Sequence, residues 1–238
     1  NSAASLILTD QELQLTIVDK DGVFEVHPKG NVYEAYFTEN LDASKLFECH
    51  AQEERSYQEF LNKGPQASQR STGQPACVEI YFEIDHASYT ENGTSIISVT
   101  NWFVSLFNQV ALQYNRIDVP LKVSGLKIYT QPDPYVPHGT ATNALYAFRD
   151  SMVKQGYPGQ LAHLLIGRAV GGGVAYLGGI CNTYNSYAVS GNMNAGVTGY
   201  PTYSWNVNVI AHELGHNFGS PHTHDCSWNG NSTAIDGC

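Results

Sequence analysis

Basic side chains are scarce in this sequence. Twelve Lys and Arg stand against 22 Asp and Glu, for a formal charge of -10 and a pI near 5.2. No segment clusters the positive charges, so a grip on nucleic-acid phosphates, which needs such a cluster to displace counterions, is excluded. Long apolar runs are missing too. The longest, residues 96–99 and 161–166, are interrupted by polar side chains and fall far short of the roughly 18 residues that span a bilayer. Charge of either sign is sparse at 14%, while 42% of the chain is hydrophobic and 11% aromatic. That balance excludes an intrinsically disordered chain. The five cysteines, Cys49, Cys77, Cys181, Cys226 and Cys238, contain no CxxC pair, which excludes a zinc ribbon. Their odd number leaves one thiol free, used as a ligand, or paired outside the chain.

What remains is an acidic, aromatic-rich globular chain of 238 residues: one large domain, or a small one joined to a larger one. Few charges, 15 Tyr and 22 Gly suit an exported protein. A start at Asn1 without Met or leader fits a chain whose signal peptide has been removed, or a trimmed one. Asn92-Gly93-Thr94 and Asn231-Ser232-Thr233 match the glycosylation triplet of extracellular proteins.

The first sixty or so residues read as short strands. Leu13, Leu15 and Ile17 alternate with polar residues, Asp19-Lys20-Asp21-Gly22 makes a turn, residues 23–26 return, and 32–37 form another strand. Residues 53–61 suit a short helix. Residues 64–74 (GPQASQRSTGQ) carry no apolar anchor and read as an exposed, cleavable linker. Beyond it strands and helices alternate. Val78, Ile80, Phe82 and Ile84 form a half-buried strand. Ile96, Val99, Phe103, Phe107, Val110 and Tyr114 recur at helical spacing behind a Thr94 or Ser95 cap. A strand over 121–129, a helix over 141–152, a strand over 161–166, a short strand over 174–177 and a helix over 205–218 follow. This order predicts an α/β domain of about 160 residues behind a smaller β-rich one.

The last of these helices carries the chemistry: His212-Glu213-Leu214-Gly215-His216-Asn217-Phe218-Gly219-Ser220-Pro221-His222. Histidines four apart share a helix face, so both imidazoles reach one cation. Glu213 then lies beside the metal, placed to deprotonate a water bound to it. Gly219 can take a left-handed conformation and end the helix, and the turn lets His222 return as a third ligand. Three protein ligands leave a fourth position open, as in catalytic zinc sites. A match to all of these positions arises by chance in roughly one chain in ten thousand of this composition.

HExxHxxGxxH is the zinc-binding pattern of the metzincins, and the chain from about Ala76 onward resembles their reprolysin (adamalysin-like) branch. Residues 77–86 (CVEIYFEIDH), 101–128, 162–167 (AHLLIG) and 173–177 with Cys181 are similar to its first strand, long helix and second strand, third strand and edge strand. The resemblance implies an α/β metzincin catalytic domain with a mixed twisted sheet and long helices. It also implies zinc on His212, His216 and His222, Glu213 as general base, and hydrolysis of protein or peptide substrates. Gly173, Val174, Ala175, Tyr176 and Leu177 would pair with an extended peptide substrate. Thr223 and His224 stand between the third histidine and Asp225, where the branch has Asp directly. The branch's Met-turn is expected after the motif, yet Met152 and Met193 precede it, so residues 76–238 read as a catalytic domain short of its C-terminal end. Calcium is possible but weakly supported, since Gln160 stands where the branch often carries an acidic residue and Glu79 alone makes a poor calcium site.

Residues 1–63 are then expected to be a β-rich propeptide that keeps a secreted protease latent, with 64–75 as the cleavable linker and Arg70 the favoured cut. Cys49 could supply a thiolate as inhibitory fourth zinc ligand; a disulfide, for example to Cys77, or an inert thiol are the alternatives. Cys181 and Cys226 are expected to staple the active-site region. Two other classes compete with an enzyme: a binding protein that has lost turnover, against which the intact Glu213 argues, and a zinc-stabilised structural module, against which the open coordination position argues.

Overall fold

The computed structural model describes residues 3–8, 13–19, 21–29, 31–40, 77–180, 182–194, 205–226, 228 and 233–235. The expected helix over 53–61, the linker, Cys49, Cys181 and Arg70 lie outside the described residues.

Near the N-terminus β1 (Ala3–Leu8), β2 (Leu13–Asp19), β3 (Gly22–Lys29) and β4 (Val32–Phe37) form an antiparallel meander in chain order, followed by a 3-10 turn at Thr38–Asn40. Tyr36 and Glu25 are buried between strands, the phenol donating to Glu25 Oε2 at 2.9 Å. Burial first, and then the neighbouring carboxylate, push the Tyr36 phenol well above its ordinary pKa.

The larger part alternates strands and helices: β5 (Val78–Ile84), α1 (His86–Glu91), α2 (Ile96–Asn115), β6 (Leu121–Ile128), α3 (Ala141–Gln155), β7 (Leu161–Leu165), β8 (Gly173–Ala175), β9 (Tyr187–Ser190) and α4 (Trp205–Asn217). The sheet order is β6-β5-β7-β9-β8, parallel throughout except for β8, which runs antiparallel to β9 at the edge. Asp85, Ser95 and Thr140 cap α1, α2 and α3 by accepting from backbone N–H groups of Ser88, Ser98 and Asn143.

Side-chain alternation along the strands divides the core. Ile80, Phe82, Ile84, Leu161 and Leu165 face α2 and α4, meeting Val99, Phe103, Leu106, Val110, Val207, Ile210 and Leu214. Ala162, Leu164, Val174, Tyr187 and Val189 face α3, meeting Ala144, Leu145, Phe148 and Met152. Each such large side chain contributes about 1.5–3 kcal/mol by leaving water. β5 is therefore covered on both faces, not half-buried as its alternation predicts. Glu83 on that strand is fully buried, and it is stabilised there by the hydroxyls of Tyr81, Tyr129 and Tyr135 and by Lys127 Nζ at 3.3 Å.

His163 on β7 stacks on Phe82 and shares a 2.7 Å hydrogen bond between Nε2 and Ser190 Oγ. Burial alone pushes its pKa down to about 3, so the folded ring is neutral where an unfolded one, near 6.5, protonates. A depressed histidine pKa means that its contribution to stability is complete above the unfolded value and is lost as pH falls from about 6.5 toward the folded value, by roughly 1.4 kcal/mol per unit. In His163→Gln, the fall of Tm between pH 6.5 and 4 is expected to be shallower than in the parent; parallel curves would contradict this.

Candidate active site

Helix α4 sets the site. Val207, Ile210 and Leu214 bury its inner face against the sheet. Trp205 Nε1 donates to Gly191 O at 3.0 Å, Asn206 Nδ2 to Asn194 O at 2.8 Å, and Tyr114 Oη to Ala211 O at 2.7 Å. At the other end Gly219 adopts φ 93°, Ser220 N donates to Gly215 O at 3.0 Å and Gly219 N to His216 O at 2.8 Å. That pair of bonds is a Schellman stop, and a left-handed residue is what it requires. Gly178 N and Ile180 N also donate to the carbonyls of His216 and Asn217, so the helix C-terminus is tied to the segment after β8.

Past this turn the chain returns with His222, held by its own loop. His222 N donates to Asp225 Oδ2 at 2.9 Å, Asp225 N to His222 O at 3.0 Å, and Trp228 Nε1 to His222 O at 2.6 Å. Asp225 thus braces the third histidine although two residues separate them. Cys226 next to it is disulfide-bonded.

The structure brings His212, His216 and His222 together. Nε2 of His212 lies 2.9 Å from Nε2 of His216 and 3.3 Å from Nε2 of His222. A tetrahedral ion with nitrogen ligands at about 2.0–2.1 Å places them about 3.3 Å apart, so this all-nitrogen donor set fits zinc. Nδ1 of His216 lies 2.7 Å from Ser220 O. Donation to that carbonyl fixes the tautomer that leaves Nε2 as the ligand atom. The imidazoles open on a cleft of about 450 Å³, also lined by Ala211, Gly215, Ser220, Pro221 and His224.

Glu213 is fully buried between α4 and β8. It packs on Gly173: a β-carbon at that position would lie 2.7 Å from Glu213 Cδ and 2.8 Å from Cγ. Gly173, expected from sequence only as part of a substrate strand, is therefore the space in which the carboxylate sits. Burial and the Glu213 charge together hold the Tyr114 phenol well above its ordinary pKa, so Tyr114 stays a donor to the helix.

Gly173 and Ala175 bound strand β8, which ends earlier than the sequence predicts; Tyr176 and Leu177 follow it. The side chains of Val174, Ala175 and Leu177 are buried. What the edge offers to a peptide is its backbone. Tyr176 accepts from Arg149 Nη1 at 2.7 Å. Asn217 was not singled out from sequence, yet its Nδ2 donates to Tyr176 O at 2.9 Å and Tyr187 O at 3.2 Å, fastening α4 to β9 and to the residue that follows β8. Its place directly after His216 was the available signal.

Two sequence expectations need correction. Calcium is not supported: Lys122 Nζ pairs with Glu79 Oε1 at 3.0 Å, and Gln160 Oε1 accepts from Glu79 N at 2.7 Å, so an ammonium stands beside that carboxylate. The example disulfide between Cys49 and Cys77 is also set aside, because Cys77 is free and exposed. Among the described residues no helix is long and apolar enough to cross a membrane.

Residues 74–238 match the reprolysin model of metallopeptidase family M12. The chain is 27% identical over 169 residues to disintegrin and metalloproteinase domain-containing protein 19 of Mus musculus, covering 67% of this chain and 17% of that protein. It is 28% identical over 157 residues to domain-containing protein 9 of the same series from Homo sapiens, covering 63% of this chain and 18% of that one. It thus spans less than a fifth of the length of these relatives. Metalloproteinase-II from Bacteroides fragilis aligns structurally with TM-score 0.46 and 14% identity over 98% of this chain and 75% of that one. With the family model matched over well more than half of the chain, the chain belongs to metallopeptidase family M12, in its reprolysin-like branch.

Proposed function

We propose that this chain hydrolyses peptide bonds in a zinc-dependent reaction with Glu213 as general base. The observation that carries the proposal is the convergence of three imidazole Nε2 atoms on α4 and its following loop, with the buried Glu213 next in sequence to the first of them. His212, His216 and His222 would hold the ion. Zinc bound there supplies Lewis acidity, lowering the pKa of water toward ~7 and polarising a carbonyl. Glu213 takes the proton of the attacking water and passes it to the leaving amine. Its position is fixed from below by Gly173, so the base needs little reorganisation at the moment of reaction. The backbone of β8 and the residues after it, Gly173, Val174, Ala175, Tyr176 and Leu177, receive an extended peptide by strand addition, holding the scissile bond at the cleft.

Residues 1–63 act in this reading as a propeptide, 64–75 as its cleavable tether, and 76–238 as catalytic domain, in a secreted precursor. The Cys49 thiolate would close the fourth metal position until the tether is cut.

The test is hydrolysis of a peptide library after cleavage of the linker. Activity is expected to vanish with a chelator and to return with added zinc. Turnover by the metal-free chain would overturn the proposal.

A further inference from the structure

A second set of donors lies on the rim of the cleft. His222, His224 and Asp225 each offer a ligand atom, all within 4.8 Å of one another. His224 is exposed and stacks on His222, with ring centroids 4.9 Å apart and planes 11° from parallel. The backbone beneath is fixed by the His222–Asp225 bonds and by Ile235 N donating to Thr223 O at 2.9 Å. The Cys226 disulfide anchors its far end.

We propose that His224 and Asp225, sharing His222, form a second, weaker divalent-cation site, and that filling it inhibits peptide hydrolysis. The proposal rests on the three-histidine reading of the catalytic centre. Two imidazoles and one carboxylate suit zinc, and the residues are those of a tetrahedral site with an open position. Affinity is low because the exposed His224 side chain must be ordered to bind, and because His222 must leave the first ion. Inhibition follows from the shared residue. A neutral imidazole has one ring nitrogen with a lone pair free for a metal, the other carrying hydrogen, so His222 serves one ion at a time. An ion taken up by His224 and Asp225 withdraws the third ligand of the catalytic centre and stands at the mouth of the cleft.

Equilibrium dialysis of the zinc-loaded chain, its linker cleaved, against rising zinc, with hydrolysis measured in parallel, tests this. The parent is expected to take up a second zinc as turnover falls roughly 10–100-fold, the range over which disturbing a metal's surroundings acts. In His224→Asn the second equivalent and the fall in turnover with rising zinc both disappear, while the first equivalent is retained. A second equivalent that persists in His224→Asn, or equal inhibition of both proteins, overturns the proposal. Loss of only the second equivalent in the parent sinks this site and leaves the catalytic reading standing; absence of the first sinks both.

Discussion

Glu213→Gln is expected to keep one zinc per chain and to lose about 10²–10⁴-fold in kcat, the usual contribution of a general base. The amide has the shape of the carboxylate and still fills the space over Gly173. It cannot accept the proton of water, and it is not among the three converging nitrogens, so metal content is unaffected. Metal analysis and peptide turnover on one preparation check both halves. A variant that loses zinc would make Glu213 a ligand, and a rate within tenfold of the parent would remove it as the base.

Gly173→Ala is the second large effect. Gly173 is not among the glycines at positive φ, so alanine is allowed by the backbone and the consequence is steric alone. Its methyl group would enter the space of the Glu213 carboxyl, at 2.7 Å from Cδ. Ångström-scale displacement of a catalytic group costs about 10²-fold, and this is the expected fall in turnover, with zinc binding retained. The stability cost of Gly173→Ala should disappear in a Glu213→Ala background, since the two side chains then no longer compete for one space. Equal destabilisation in both backgrounds would mean that the glycine serves some other contact.

These two residues show what was legible in the sequence. His212, Glu213, His216 and Gly219 sit on one helix and its stop, where fixed periodicity converts spacing into direction, and His222 follows within a short turn. The strands and long helices were likewise readable from alternation and period, with ends displaced by a few residues. Gly173 could be placed on an edge strand, but its contact with Glu213 joins positions forty residues apart and depends on how α4 crosses β8. Asn217 and Tyr114 act through backbone carbonyls of distant segments, Tyr176, Tyr187 and Ala211, which no local pattern encodes. Strand β9 and helix α1 went unrecognised because four and six residues leave too little periodicity to read. The pairing of Lys122 with Glu79 was hidden for a related reason: parallel strands bring it across the sheet from a segment 43 residues away.

The central claim is that three imidazoles hold one ion. X-ray absorption at the zinc edge of the loaded chain should give three histidine nitrogens at about 2.0–2.1 Å, and two in His222→Ala. A further sulfur near 2.3 Å in the uncut chain would add the Cys49 switch to the account. Fewer than three histidines in the parent, or a count that does not fall in His222→Ala, would contradict it.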